Sequence, residues 1–217
     1  MKYKTLIFDL DGTLLDTIRD LATAVNFSLR KNGYPVHELP AFFPMVGNGV
    51  ANLVARALPG GAENPDYSRV YDDFRAYYSE HKEDETAPYD GILPMLSRLF
   101  EAGLPMAIVS NKFDAAVKSL AATYFGDTVK VAVGESETVA RKPAPDAVFV
   151  ALRELGVSPC GAVFIGDSEV DIETAKAAGL PCLSVSWGFR SEAALRAAGA
   201  DSVFHTPSEL ADYLLSE

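Results

Sequence analysis

Asp9 and Asp11 stand two residues apart in TLIFDLDGTLLDT, residues 5–17, directly after an apolar run and directly before a Gly-Thr pair. Ser110 and Asn111 close a second apolar run, Lys142 sits in RKPAPD, and Asp167, Ser168 and Asp171 follow a further run. If these segments meet, the carboxylates of Asp9, Asp11, Asp167 and Asp171 share a small volume with one ammonium and a few hydroxyl or amide groups. Two like charges about 4 Å apart repel by about 4 kcal/mol at an effective dielectric of about 20, so such a cluster calls for a counter-cation. All-oxygen ligation with few protein ligands favours Mg²⁺, which takes carboxylates together with substrate phosphate oxygens. Magnesium beside one lysine points to a small phosphorylated substrate.

Two carboxylates on one short loop can divide the work. One attacks phosphorus and forms an aspartyl phosphate, which splits a difficult displacement into two easier ones. The other protonates the leaving oxygen and then deprotonates the water that hydrolyses the acyl phosphate. Gly12 allows the backbone to turn tightly, so that amide groups reach phosphate oxygens. Thr13, Ser110 and Lys142, with Asn111 beside them, are candidates to hold the other oxygens and neutralise charge during transfer.

These residues need a scaffold that brings distant segments together. Five runs rich in β-branched or large apolar residues recur at 4–8, 106–110, 129–133, 162–166 and 182–186, with helical patterns between them. Near-continuous apolarity suits strands buried on both faces, and the helices supply the crossovers of a parallel α/β sheet. In such a sheet the ligand site lies beyond the carboxyl ends of the strands, where strand order reverses. Every candidate named above follows or ends one of these runs. SVF (202–204) reads as an edge strand, and Thr206, Pro207 and Glu209 as a capped start to a final helix.

The interval from residue 14 to about 90 has no strand pattern. Ile18, Leu21, Ala22, Val25 and Leu29 share one helical face, and Tyr67, Val70, Tyr71, Phe74, Tyr77 and Tyr78 keep three-four spacing on another. Such an aromatic stripe is expected to be core. The expected organisation is a Rossmann-like core, residues 1–15 and 88–217, with an inserted helical cap at 16–87 and hinges near 14–17 and 82–91. Gly47, Asn48 and Gly49 precede an apolar helical pattern, where the Asn either caps the helix or offers donors to a substrate carboxylate. Arg56 and Lys112 are further candidates for a substrate's anionic end.

Composition bounds the alternatives. The chain has 217 residues, 48% hydrophobic and 23% charged, and a net charge of −11 that opposes binding to nucleic acid. Cys160 and Cys182 lack the spacing of a zinc site or redox pair and read as inert thiols. His37, His81 and His205 stand alone in polar settings. The N-terminus passes straight into a core-like run and no apolar stretch approaches membrane-spanning length, so the expected location is the cytoplasm and the expected assembly a monomer or homodimer.

DLDGTLLDT, IVSNK, RKPAPD and GDSEVDIETAKAAG resemble, in order and spacing, the four motifs of the haloacid dehalogenase-like hydrolases, over essentially the whole chain. The resemblance implies that Asp9 is the nucleophile, Asp11 the acid/base, and Thr13, Ser110 and Lys142 the phosphate clamp. It implies further that Asp9 and Asp167 bind Mg²⁺ by their side chains and Asp11 by its carbonyl, with Asp171 at or just behind the metal. The family's dehalogenases lack the second loop aspartate, which this chain retains as Asp11, so phosphoryl chemistry on an oxygen ester is favoured. VGNGVANLVARAL (46–58), SNK and SVSWGFR are most similar to the phosphoglycolate phosphatase branch, although Phe113 stands where many members carry proline. The expectation is a Mg²⁺-dependent phosphatase acting on 2-phosphoglycolate. The rival expectations are a β-phosphoglucomutase-like phosphomutase and a phospho-accepting binding module resembling a response-regulator receiver.

Overall fold

Thr5–Phe8 forms β1, and all four of its residues are buried, as its apolar composition requires of a strand covered on both faces. The structure, a computed structural model, describes residues 2–126 and 128–216. After β1 come β2 (Leu15–Asp16), α1 (Ile18–Lys31), α2 (Val50–Ala57), α3 (Tyr67–His81) and β3 (Ala87–Pro88). Then follow α4 (Ile92–Glu101), β4 (Met106–Phe113), α5 (Asp114–Phe125), β5 (Val131–Glu135) and α6 (Asp146–Leu155). The chain continues with β6 (Ala162–Gly166), α7 (Glu169–Ala178), β7 (Cys182–Val185), α8 (Glu192–Ala197), β8 (Val203–Phe204) and α9 (Pro207–Leu215).

The six-stranded sheet runs in the order β5-β4-β1-β6-β7-β8, and each neighbouring pair is parallel, as the run pattern predicts. Side chains alternate along β1. Leu6 and Phe8 enter a core with Ile92, Leu96, Leu120 and Leu210 from α4, α5 and α9, while Ile7 enters a second core with Val148 and Ala175 from α6 and α7. The chain moves outward from β1 to β4 and β5, then returns to the other side of β1 as β6, so strand order reverses there. Pairing of Phe8 with both Ile108 and Ile165 sets β1 in register between its neighbours, with β6 ending one residue beyond this level and β4 running on past it to Phe113.

Three features differ from the sequence reading. β4 extends to Phe113 rather than ending at 110, with a register shift against β5 between Val109 and Phe113. β5 begins at Val131 and runs on to Glu135. β2 and β3 pair as a separate two-stranded ribbon where the chain crosses out of and back into the core, too short to leave a periodic signal in sequence.

The chain divides into two compact units, Met1–Leu15 with Pro88–Glu217, and Asp16–Ala87. In the second unit α1 packs on α3: Leu21, Val25 and Leu29 are buried on one helix, Val70, Phe74 and Tyr78 on the other. Tyr67, Tyr71 and Tyr77 are half-buried, and Tyr77 stacks on Phe27 with ring centroids 4.2 Å apart. The buried Asp20 carboxylate accepts the backbone N–H groups of Glu85 and Thr86, each at 2.9 Å. This ties the end of the unit to the start of α1. Among the described residues no helix is long and apolar enough to cross a membrane.

Candidate active site

Asp9 is the first residue past β1, and its N–H continues the ladder to Ile165 O at 2.8 Å. The chain then folds back on itself, with Leu14 and Leu15 donating to Leu10 O and Gly12 N to Leu15 O. Gly12 holds φ at 90°, and a Cβ there would lie 2.5 Å from Asp167 Oδ2, so only glycine fits this turn. Thr13 Oγ1 donates to Asp167 Oδ1 at 3.3 Å, which links the loop after β1 to the loop after β6.

Lys142 bridges the two carboxylates on either side of it. Its Nζ lies 2.7 Å from Asp9 Oδ1 and 2.7 Å from Asp171 Oδ1, over the ring of Phe164, and the residue is 2% exposed. Asp171 is also the third residue of α7, where its Oδ2 accepts the Ser168 N–H at 3.1 Å and hydroxyl at 2.7 Å in a capping box. Three donors therefore engage Asp171 already. Asp167 accepts Thr13 Oγ1 on one oxygen and Phe189 N–H on the other, the latter at 2.7 Å.

Ser110, Asn111 and Lys112 lie along the extended end of β4, where alternation sends every second side chain the same way. Ser110 Oγ donates to Asp11 Oδ2 at 3.3 Å and Lys112 Nζ pairs with Asp11 Oδ1 at 2.6 Å. Asn111 takes another direction, pairing its carboxamide with the backbone of Lys142. Lys112, read from sequence as a candidate for the substrate's anionic end, is thus a buried partner of Asp11, and its two-residue spacing from Ser110 is the signal that could have found it. Arg56 is engaged within its own unit, with Nη1 donating to Met45 O at 2.7 Å.

Gly47, Asn48 and Gly49 lead into α2 in the Asp16–Ala87 unit. Gly49, not Asn48, is the N-cap, and it offers no side-chain acceptor; the Asn48 carbonyl accepts from Asn52 Nδ2 at 2.7 Å. Cys160 and Cys182 are free thiols, and burial pushes the Cys182 thiol up to about 12, in keeping with the inert reading.

The electrostatics favour a cation. One carboxylate oxygen each from Asp9, Asp167 and Asp171 lies within 4.8 Å of the others, and all three residues are buried. Burial, then the charge of Asp171, raises the Asp9 carboxyl well above the usual carboxylate range, with Lys142 opposing. The same two causes push Asp167 up to about 7. Burial alone would lower Lys142, but Asp171 and Asp9 outweigh it and raise the ammonium above its ordinary value. Three buried carboxylates against one ammonium leave an excess of negative charge that a divalent ion would cancel. The donors are all hard oxygens, so the residues fit Mg²⁺, with Asp9 and Asp167 the least engaged of the three.

Comparison with known proteins agrees with this geometry. The family profile described as haloacid dehalogenase-like hydrolase matches residues 6–185. A protein of Pseudomonas savastanoi pv. phaseolicola named phosphoglycolate phosphatase is 36% identical over 196 residues, spanning 86% of this chain and 70% of that one. Another of that name, from Thiobacillus denitrificans, is 32% identical over 213 residues, spanning 96% of this chain and 94% of its own length. A crystal structure from Lactobacillus delbrueckii subsp. bulgaricus, described as a candidate phosphoglycolate phosphatase, superposes with a TM-score of 0.95 at 33% identity, covering 100% of both chains.

Proposed function

The chain belongs to the haloacid dehalogenase-like hydrolases, and on that premise we propose that it hydrolyses a small phosphomonoester, most favourably 2-phosphoglycolate, through an aspartyl phosphate on Asp9. The observation that carries the reading is the pairing of Asp9 with Lys142 at the end of β1, beside a second loop carboxylate, Asp11. Lys142 engages Oδ1 of Asp9 at 2.7 Å, and attack on phosphorus is assigned to the second oxygen.

In the first step an Asp9 oxygen bonds to phosphorus, the bond to the substrate oxygen breaks, and Asp11 gives that oxygen its proton. In the second, the Asp11 carboxylate takes a proton from water, whose oxygen bonds to phosphorus. Inorganic phosphate leaves and Asp9 is regenerated. Thr13, Ser110 and Lys142 hold the phosphoryl oxygens, while Asn111 and Asp171 act through Lys142, one setting its backbone and the other its ammonium. Mg²⁺ held by Asp9, Asp167 and the Asp11 carbonyl would supply charge neutralisation at those oxygens. Relatives named phosphoglycolate phosphatase, 32–36% identical to this chain, favour 2-phosphoglycolate among phosphomonoesters.

The test is inorganic phosphate release from a panel of phosphomonoesters, 2-phosphoglycolate included, in Mg²⁺ and in EDTA. Metal-dependent release with a strong preference for 2-phosphoglycolate supports both chemistry and substrate. Release without that preference removes the substrate assignment, and isomerisation of a sugar phosphate without phosphate release removes the hydrolase reading.

A further inference from the structure

Ser186–Arg190 follows β7 and lies far in sequence from the loop after β1, yet it touches that loop and its metal-site carboxylate together. Trp187, the one tryptophan of the chain, donates its indole N–H to the carbonyl of Thr13 at 2.9 Å. Two residues later the Phe189 N–H reaches Asp167 Oδ2 at 2.7 Å. Between them Gly188 has no room for a side chain: a Cβ would fall 2.1 Å from Gly12 O and 2.5 Å from Asp167 Oδ2. The far end of the turn is fixed by Arg190, whose Nε and Nη2 hold the Glu169 carboxylate at 2.8 and 3.1 Å.

These contacts close a ring. Thr13 Oγ1 bonds to Asp167 Oδ1, Asp167 Oδ2 to the Phe189 N–H, Phe189 is joined through Gly188 to Trp187, and the Trp187 indole returns to the Thr13 carbonyl. Both oxygens of Asp167 and both ends of Thr13 are thereby fixed by one another. We propose that Ser186–Arg190 is a positioning element of the active site, with Trp187 as the positioning residue that orients the Gly12–Thr13 turn against Asp167. Trp187 makes this link through the Thr13 carbonyl, on the main chain of the loop. Misplacing phosphate donors by a fraction of an ångström weakens them at the transition state more than in the ground state, so the loss belongs to kcat.

The inference rests on the phosphatase reading of the loop, and its test separates the two. Because Trp187 is the sole indole, its emission reports directly on the ring. Mg²⁺ and then inorganic phosphate are titrated into the wild-type protein while Trp187 emission is followed, and Trp187→Phe is assayed with p-nitrophenyl phosphate alongside a thermal melt. The expected results are a saturable change in emission, and a kcat lowered about five- to tenfold with KM within about twofold, in a protein whose melt falls by a few degrees at most and which stays folded at the assay temperature. Wild-type kcat in Trp187→Phe, a loss of activity that only follows a loss of folded protein, or emission indifferent to Mg²⁺ and phosphate would each overturn it. If the wild type hydrolyses nothing, the phosphatase reading fails, and the emission change on adding Mg²⁺ still decides the positioning role.

Discussion

Asn111 clasps the backbone of Lys142 in both directions: its Oδ1 accepts the Lys142 N–H at 2.6 Å and its Nδ2 donates to the Lys142 carbonyl at 3.0 Å. Both residues are buried, so the lysine that meets Asp9 and Asp171 has its main chain fixed by a side chain from the neighbouring strand. Asn111→Ala leaves a buried N–H and C=O unsatisfied, at a cost of about 1–3 kcal/mol each. The expected outcome is a lower urea midpoint together with a fall in kcat of about tenfold or more, as the ammonium loses its placement. Wild-type kcat in a folded Asn111→Ala protein would contradict this role.

Lys112 pairs with Asp11 at 2.6 Å, the lysine side chain 1% and the aspartate 15% exposed. Lys112→Met removes that partner and should lower kcat/KM equally for 2-phosphoglycolate and for p-nitrophenyl phosphate, which has no carboxylate. A loss confined to 2-phosphoglycolate would instead place Lys112 against the substrate's anionic end.

The Asp167 carboxyl, pushed up to about 7 by burial and by Asp171, has a sign opposite to that of a paired surface acid. Below its unfolded pKa, near 4, the group is neutral in both states; between that value and about 7 the unfolded chain loses its proton while the folded chain keeps it. Stability without metal therefore falls as pH rises through this window. In EDTA, thermal melts of wild type between about pH 4 and pH 7 should decline relative to those of Asp167→Asn, which carries no charge. Added Mg²⁺ should raise the wild-type melting temperature more at the upper end of that range than at the lower. Parallel melting curves for the two proteins, or a Mg²⁺ shift independent of pH, would count against a proton-competed metal site.

Asp20 is 4% exposed and accepts the N–H groups of both Glu85 and Thr86. Asp20→Ala strands those donors, and the expected loss is about 1–3 kcal/mol in chemical denaturation. Asp20→Asn keeps an acceptor and should recover part of it; equal stability of wild type and Asp20→Ala would show that the contact contributes nothing net.

The chemistry-bearing carboxylates were legible because each follows a run whose composition already reads as a buried strand, and strand ends are where a parallel sheet places ligands. Asp9, Asp167, Asp171 and Lys142 come together for that reason. Strand periodicity puts Lys112 on the face of Ser110, and so toward the site, without naming Asp11 as its partner, while the pairing of Asn111 with Lys142 leaves no signal in the pattern. Trp187 meets Thr13 across 174 residues, and Asp20 meets Glu85 across 65, contacts that depend on folding rather than on local pattern. Leu15–Asp16 and Ala87–Pro88 are two residues each and pair only with one another outside the main sheet, whereas the equally short Val203–Phe204 is legible from its place after the last helix-strand repeat.

Covalent trapping at Asp9 distinguishes an aspartyl phosphate from direct attack of water on the substrate. The enzyme is mixed with a saturating phosphomonoester that it turns over in Mg²⁺, quenched in acid during the steady state, digested and analysed by peptide mass. The expected result is a phosphoryl group on the peptide carrying Asp9, removed by hydroxylamine and absent from Asp9→Asn, which should release no phosphate. Turnover with no phosphorylated peptide, a phosphoryl group carried on another residue, or substantial phosphate release by purified Asp9→Asn would contradict it.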